Sequence, residues 1–579
     1  ITIRGQRSYG VKYRNTVGIN GQSLPEKDDA KNAGQNAILN MINGTAGSIN
    51  ASGGAESFNS GTDISKAIEN TEIVELPDGK LVVKRNGTIV EDSEMEVLDY
   101  AVSSNIGLSN FGIYVDTLGR TNPISMEGVT SPNIDSDLII GTEFSEKTNS
   151  KNVIIGEKIL KPFLAQTNAG IFNFTPYSGS LTWMATPQLN LQTGKIEKVV
   201  MAKIPYTAFV PKKDNSFNFA DGLEQRYDKN ELGSAEKRLF DKLNSIGNNE
   251  QVLLAQAFDE MMGHQYGNVQ YRLYSVGKSL DREFTNLRKE WNTTSRQSNK
   301  ITTFGMKDEY KTNSAGIIDY TRNSYGVAYV HENEEIKLGK SSGWYAGVVN
   351  SRFKFKDIGG SKENTSMIKF GIFKTMSPAK DHNGSLQWTV SGESYAGISD
   401  IHRKYLVVDE IFSAKASYSS YGAAVKNELS KEFRTSERIS IKPYGSLKLE
   451  YGRFGDIKEK TGEMRLDVEG NDYYSVKSEI GTEFKYRQPM ALKTTFVATF
   501  GLGYENELGK IKDVNNKAKV SFTDASQFNI KGEKEDRKGN FKADLNIGIE
   551  NQRIGFTLNG GYDTKGNNVR GGIGSVSYT

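Results

Sequence analysis

The chain has 579 residues, with 73 Lys and Arg against 70 Asp and Glu, 59 Gly, 27 Tyr, 27 Phe and no Cys. A formal net charge of +3 with acids and bases interspersed gives no basis for expecting an extended nucleic-acid-binding face, and without Cys there is no disulfide, thiolate metal site or cysteine nucleophile. The mean hydropathy of −0.54, with no uncharged apolar run of about 18 residues, excludes a transmembrane helix but not a β-barrel, whose alternating strands keep the average low. The chain starts at Ile1 with no initiator Met or signal peptide, which predicts a fragment or a processed product.

Residues 1–220 are rich in Gly, Asn and Ser, with short β-branched runs. Gly5-Gln6-Arg7-Ser8-Tyr9-Gly10-Val11 and Gly107-Leu108-Ser109-Asn110-Phe111-Gly112-Ile113 share one phrase: Gly, two variable residues, then polar, aromatic, Gly and β-branched. Successive rungs of a β-solenoid repeat in this way. Ala46 to Gly61, rich in Gly, Ser, Ala and Asn, predicts a loop. A helical junction is expected over 221–299, with short helices near Ala235–Leu243 and Glu250–Met262. Within it Val269, Leu273, Val276, Leu280, Phe284, Leu287 and Trp291 recur in steps of three and four, an apolar helical stripe. Asn268 is the expected N-cap, and Arg272, Lys278, Asp281, Arg282, Glu283, Arg288 and Lys289 fill the other faces. A helix over 268–291 spans about 36 Å at 1.5 Å per residue, long enough to thread a barrel lumen. The alternative is a helix of a soluble bundle, packed on its two shorter neighbours.

From Lys300 the period becomes two. Leu386, Trp388, Val390, Ala396 and Ile398 share one parity; Ile439, Ile441, Pro443, Leu447, Leu449 and Tyr451 repeat the pattern, as do Phe541, Ala543, Leu545, Ile547 and Ile549. About twelve strand-length segments are joined alternately by short turns and by long polar loops, the latter at Ser399–Glu410, Gly455–Gly470 and Glu505–Gly539. The fold class is therefore mainly all-β: a 12-stranded transmembrane up-and-down barrel over 300–579 with a luminal helix, preceded by a β-solenoid-like part. A soluble β-sandwich has no reason to sort loop length by parity.

The polar parity is expected to face a wet lumen. It comprises Arg352, Lys354, Lys356, Lys442, Lys448, Glu450, Lys477, Glu479, Glu483, Lys485, Lys542, Asp544 and Glu550. Some of these should pair with Arg272, Asp281, Arg282, Glu283, Arg288 or Lys289 and hold the helix as a plug. On the other parity Tyr345, Phe355, Tyr451, Tyr474, Tyr486, Tyr504 and Tyr562 should form interfacial girdles. Catalytic signals are weak. The four histidines, His264, His331, His382 and His402, have no metal-ligand spacing. Gly339-Lys340-Ser341-Ser342-Gly343 matches a nucleophile-elbow string but leads from a turn into a strand. Neither an enzyme nor a cofactor or metal site is expected in this segment.

The junction Ala257-Phe258-Asp259-Glu260-Met261-Met262-Gly263-His264-Gln265-Tyr266, followed by Leu280-Asp281-Arg282-Glu283-Phe284, resembles the stretch that introduces the translocator barrel of type V (classical, monomeric) autotransporters. The likeness runs from about Gly233 to the C-terminus. It implies an outer-membrane barrel that exports and displays its own N-terminal passenger, here residues 1–220. Outer-membrane lipid, the barrel assembly machinery and a surface receptor on a host or bacterial cell would be its partners, with no nucleic acid. The Lys- and Asn-rich style of the N-terminal part is similar to very large fusobacterial adhesins, which implies an adhesive passenger. The alternatives are an enzymatic passenger, a protease or esterase lying before Ile1, or a diffusion porin. Some family members cleave themselves at an Asn-Asn pair in the pore helix; Tyr274–Trp291 holds only Asn286, so no such cleavage is expected. Val576 and Tyr578 stand on the parity of the family's C-terminal insertion signal, which ends on Phe or Trp, so the natural chain is expected to continue by a residue or so.

Overall fold

A computed structural model describes residues 48–50, 71–75, 77, 81–85, 88–89, 111–119, 125–127, 134–168, 172–290, 297–491, 493–509, 515–533, 539–551, 554–564 and 566–578. Two compact units divide the chain, one of residues 1–209 and 227–255, the other of 210–226 and 256–579.

In the first unit, β1 (Ser48–Asn50) lies parallel to β6 (Ser125–Glu127), and β2 (Thr71–Glu75), β3 (Leu81–Arg85) and β4 (Thr88–Ile89) form an antiparallel ladder. Three further strands, β5 (Phe111–Val115), β7 (Ile134–Ile140) and β9 (Phe172–Ser178), stack in parallel with Ile113 opposite Leu138 and Leu138 opposite Pro176. Parallel stacking of consecutive short strands is how a solenoid buries a continuous core; Val115, Leu138 and Ile140 are fully buried. The second of the paired phrases runs into β5, whereas Gly5–Val11 lies outside the described residues. Helix α1 (Glu157–Asn168) follows β8 (Asn152–Ile155), which joins β11 (Ile196–Lys203) and β10 (Trp183–Leu189) in an antiparallel sheet. Three more helices follow in the chain: α2 (Ser216–Lys229), assigned to the second unit as far as residue 226, α3 (Ala235–Asn244) of the first unit, capped by Ser234 Oγ, and α4 (Gln251–Met261), assigned to the second unit from residue 256.

The second unit is a closed barrel entered by helix α5 (Val269–Glu290). Its ring runs through β12 (Gln297–Tyr310), β13 (Tyr320–Glu334), β14 (Ser341–Phe355), β15 (Lys362–Met376), β16 (Leu386–Val407), β17 (Glu410–Lys431), β19 (Ile439–Phe454), β22 (Asn471–Pro489), β23 (Thr495–Glu507), β26 (Asn540–Glu550), β27 (Ile554–Asp563) and β28 (Gly566–Tyr578). β28 returns to β12 with Tyr578 opposite Ser298, so no strand edge is left unpaired for lipid to hydrate. These twelve strands are antiparallel throughout. β18 (Phe433–Arg434) prolongs the β17–β19 ladder, while β20 (Ile457–Gly462), β21 (Leu466–Val468), β24 (Asn516–Val520) and β25 (Phe528–Ile530) form a small sheet within the long connections.

Ser399–Glu410, expected as a long loop, is strand instead. β16 and β17 pair as far as Val407 opposite Glu410, around a turn in which Val408 takes φ 60°. Its outward face carries Asp400, His402 and Lys404 because it projects past the lipid-facing band, whereas its inward face, with Ile401, Arg403, Tyr405 and Val407, is buried; a polar outward row and an inward Arg403 give the stretch the composition of a loop. Among the described residues no helix is long and apolar enough to cross a membrane. Exposed outward rows supply the apolar band, including Val348, Ile368, Phe370, Ile372, Leu449, Ile480, Phe500, Ile547 and Leu558.

Candidate functional site: the occupied lumen

Helix α5 begins where Arg272 N–H donates to the Asn268 carbonyl (3.0 Å). The Asn268 side chain is anchored to the barrel mouth, donating to Tyr310 Oη (3.1 Å) and accepting from Glu533 N–H (3.1 Å). Its stripe, Val269, Leu273, Val276, Leu280, Phe284 and Leu287, is buried, while Trp291 lies outside the described residues.

One wall of the lumen is apolar. Phe284 packs on Tyr345 with centroids 4.4 Å apart, and Tyr271 on Tyr310 at 5.3 Å. A methyl at Gly347 would stand 2.8 Å from Leu280 Cδ2 and 3.0 Å from Phe284 Cζ, so a bare backbone is what lets the helix approach here. The Arg288 guanidinium lies 3.7 Å over the Phe373 ring and donates to Thr375 Oγ1 (3.0 Å). This wall reverses the expected facing of β14. Tyr345, Val349, Phe353 and Phe355 point into the lumen, whereas Arg352, Lys354 and Lys356 are exposed on the outside. The physical reason is the helix itself, whose apolar stripe needs an apolar partner. Tyr345 and Phe355 are therefore not girdle residues; Tyr474, Tyr486, Tyr504 and Tyr562 do face outward.

The remaining faces of α5 meet charge. Arg272, 1% exposed, binds Glu363 through two nitrogens (Nε to Oε1 3.3 Å, Nη2 to Oε2 2.8 Å), and Tyr418 Oη also donates to that carboxylate (3.0 Å). Asp281 accepts from Lys369 (2.5 Å) and Lys448 (3.1 Å); Lys448 in turn reaches Glu393 (2.9 Å) and Glu450 (3.3 Å). Arg282 approaches Asp544 at 3.7 Å, and Glu283 is fully buried. Lys477 sits 3.4 Å over the Tyr274 ring of the helix. Other predicted lumen charges pair within the wall: Glu479 with Lys542 (3.1 Å), Lys542 with Glu505 (2.6 Å) and Glu550 with Arg487 (2.6 Å). Lys442 stands opposite Glu483, and Ser440 opposite Lys485, across β19 and β22. The side chains of Lys289, Val576 and Tyr578 lie outside the described residues; Val576 pairs with Lys300 in the β28–β12 ladder. Glu363, Lys369 and Glu393 were missed from the sequence. The signal for the first two was available, since Ile368, Phe370 and Ile372 share the outward parity of β15 and leave Glu363 and Lys369 inside.

The mouth is gripped by the long connections. Arg403, fully buried, binds Glu459 (2.6 and 2.9 Å) and donates to the carbonyls of Met261 (3.1 Å) and Met464 (2.8 Å). Tyr266 Oη donates to Glu459 (2.8 Å), and Asn516 Nδ2 donates to the Tyr266 carbonyl (2.6 Å). Gly263, at φ 80°, turns the chain so closely under Leu466 that a methyl would fall 2.7 Å from its Cδ1. Beside it a hydrogen bond with His264 (2.8 Å) holds the Asp259 carboxyl below its ordinary value, while burial pushes the neighbouring Glu260 up. Among the described residues no group of His, Asp and Glu could hold a metal ion.

A closed twelve-stranded ring, long connections at one end and a charged lumen filled by one helix define a class, the outer-membrane translocator. Residues 301–563 match the autotransporter beta-domain family. No curated protein matches the chain by sequence. Among solved structures it is similar to the translocator domain of the autotransporter NalP from Neisseria meningitidis, at 13% identity over 53% of this chain and 96% of that one, TM-score 0.41. It is also similar to the transport unit of AIDA-I from Escherichia coli, at 14% identity over 52% and 96%, TM-score 0.32. A third likeness is to the beta domain of the Bordetella autotransporter BrkA, at 12% identity over 49% and 99%, TM-score 0.34. The barrel sits in the outer membrane of a Gram-negative cell and is a translocator, not itself a catalyst. Its family displays the passenger at the cell surface, so the end where the chain leaves the lumen at Asn268 is the outer one.

Proposed function

We propose that the chain exports and displays its own N-terminal part, and that α5 remains in the lumen as a plug when export ends. The observation that carries this reading is the anchoring of the helix at two depths, by Arg272 on Glu363 and by Asp281 between Lys369 and Lys448. No nucleotide is needed. Insertion by the barrel assembly machinery, with Val576 and Tyr578 in the strand it reads, and folding of the passenger outside supply the free energy. The displayed part is an adhesin for host or other bacterial cells. The parallel stack β5–β7–β9 supports this, because a solenoid offers a long repetitive surface rather than a pocket.

Single-channel conductance of the full chain, compared with a version lacking 268–291, tests the plug. A nearly closed intact barrel and a stable, larger pore after deletion are expected. Equal conductance would sink the plug and leave a porin as the better account.

A further inference from the structure

The charges that turn away from the lumen are not scattered. Lys354 stands opposite Lys362, Lys362 opposite His402, and His402 opposite Lys415, so four neighbouring strands place basic side chains in one lateral row on the outer wall. Lys354, Lys362 and Lys415 are exposed and His402 half-buried. Like charges directly opposite one another across a sheet destabilise it. Among the described residues none of the three lysines makes an ion pair, in contrast to Lys356 on the same wall, which binds Glu309 (2.5 Å). Asp400, on the outward face of β16, is engaged by Ser417 Oγ (2.5 Å).

The height of the row is informative. Outward residues of β15 run Lys362, Asn364, Ser366, Ile368, Phe370, Ile372, so the cations lie beyond two polar positions from the apolar band. With a rise of about 3.3 Å per residue and a strand tilt of about 40°, Lys362 stands roughly 15 Å above Ile368 along the membrane normal. That is headgroup level on the cell-surface side, on a face continuous with the lipid-facing wall. We propose that this row seats phosphate-bearing lipid headgroups of the outer leaflet. Adjacent strands about 4.8 Å apart spread the four side chains over about 15 Å, which suits a headgroup carrying more than one phosphate.

The test uses the full chain in uncharged detergent, with native mass spectrometry counting the retained lipid. The probes are a bis-phosphorylated lipid A-type glycolipid, its dephosphorylated counterpart and soluble tripolyphosphate. Preferential retention of the phosphorylated lipid is expected, falling about tenfold in K354Q/K362Q/K415Q and unchanged in K374Q/K431Q at the other end of the strands. Should the triple variant fail the heat-modifiability check of barrel folding, Lys362→Gln alone is read, with a loss of about threefold. Equal retention of the two lipids, or no loss in the variants, would overturn the proposal. Tripolyphosphate binding without lipid preference would overturn it too, marking a patch for soluble polyanions.

Discussion

Two walls of one lumen meet the same helix with different chemistry. β14 offers Tyr345 and the bare backbone of Gly347 to the stripe of α5, whereas β19, β22 and β26 offer Lys448, Glu450, Lys477 and Asp544. The apolar wall gains from area removed from water, at about 25 cal/mol per Å², and from shape. The charged wall gains little per pair where water enters, and much where it does not. The lesson is that sign and burial, rather than the number of ion pairs, decide which contacts hold the helix.

The largest effect is expected at Arg272. Its guanidinium and the Glu363 carboxylate are 2% and 0% exposed as side chains, so removing one partner leaves a buried, uncompensated charge. Arg272→Ala should weaken helix docking by about 3–5 kcal/mol. The double variant Arg272→Met with Glu363→Met should recover most of it, because the pair's own desolvation cost disappears with it. Hydrogen exchange of the α5 amides reads both. A single variant no worse than the double would show that water reaches this pair.

A pair of glycines separates the walls by shape. Gly347→Val should push the helix off the apolar wall, at a cost of about 1–3 kcal/mol, and raise the conductance of the intact barrel. Gly501→Ala, across the lumen, meets only Asp544 Cβ at 3.9 Å and should leave conductance unchanged. Equal responses at both positions would mean that the helix has no preferred wall.

Much of this architecture was legible. The change of period at Lys300 and the sorting of connections by length announce the ring, and the three-and-four steps from Val269 to Leu287 announce the helix. The facing of β14 was not legible, because alternation separates two faces without saying which is inside. On β15 and β26 the apolar face is the lipid face, with Ile368, Phe370, Ile372, Leu545 and Ile547 exposed; on β14 aromatic residues face inward while Arg352 and Lys354 stand outside, above the apolar band. The polar stretch around Arg403 read as loop for a related reason. Its inward partner Glu459 lies in another connection, and only folding brings the two together. Glu363 lay on a readable parity, but its pairing with Arg272 needs the barrel closed around the helix.

The smallest effect is expected at the wet end of the comparison. Arg282 and Asp544 stand 3.7 Å apart with 19% and 41% of their side chains exposed. Solvent screening at that exposure limits such a pair to at most about 1 kcal/mol. Arg282→Gln should therefore change helix protection only slightly, and the change should vanish as salt rises, since a Debye length of about 3 Å at 1 M is shorter than the gap. The Arg272 effect should survive the same salt, because its pair is closed to ions. Measuring both variants by amide exchange at about 0.1 M and 1 M salt sets the two regimes side by side in one lumen. If both effects screened equally, ions would be reaching the Arg272 pair, and the division of the lumen into dry and wet anchoring would have to be given up.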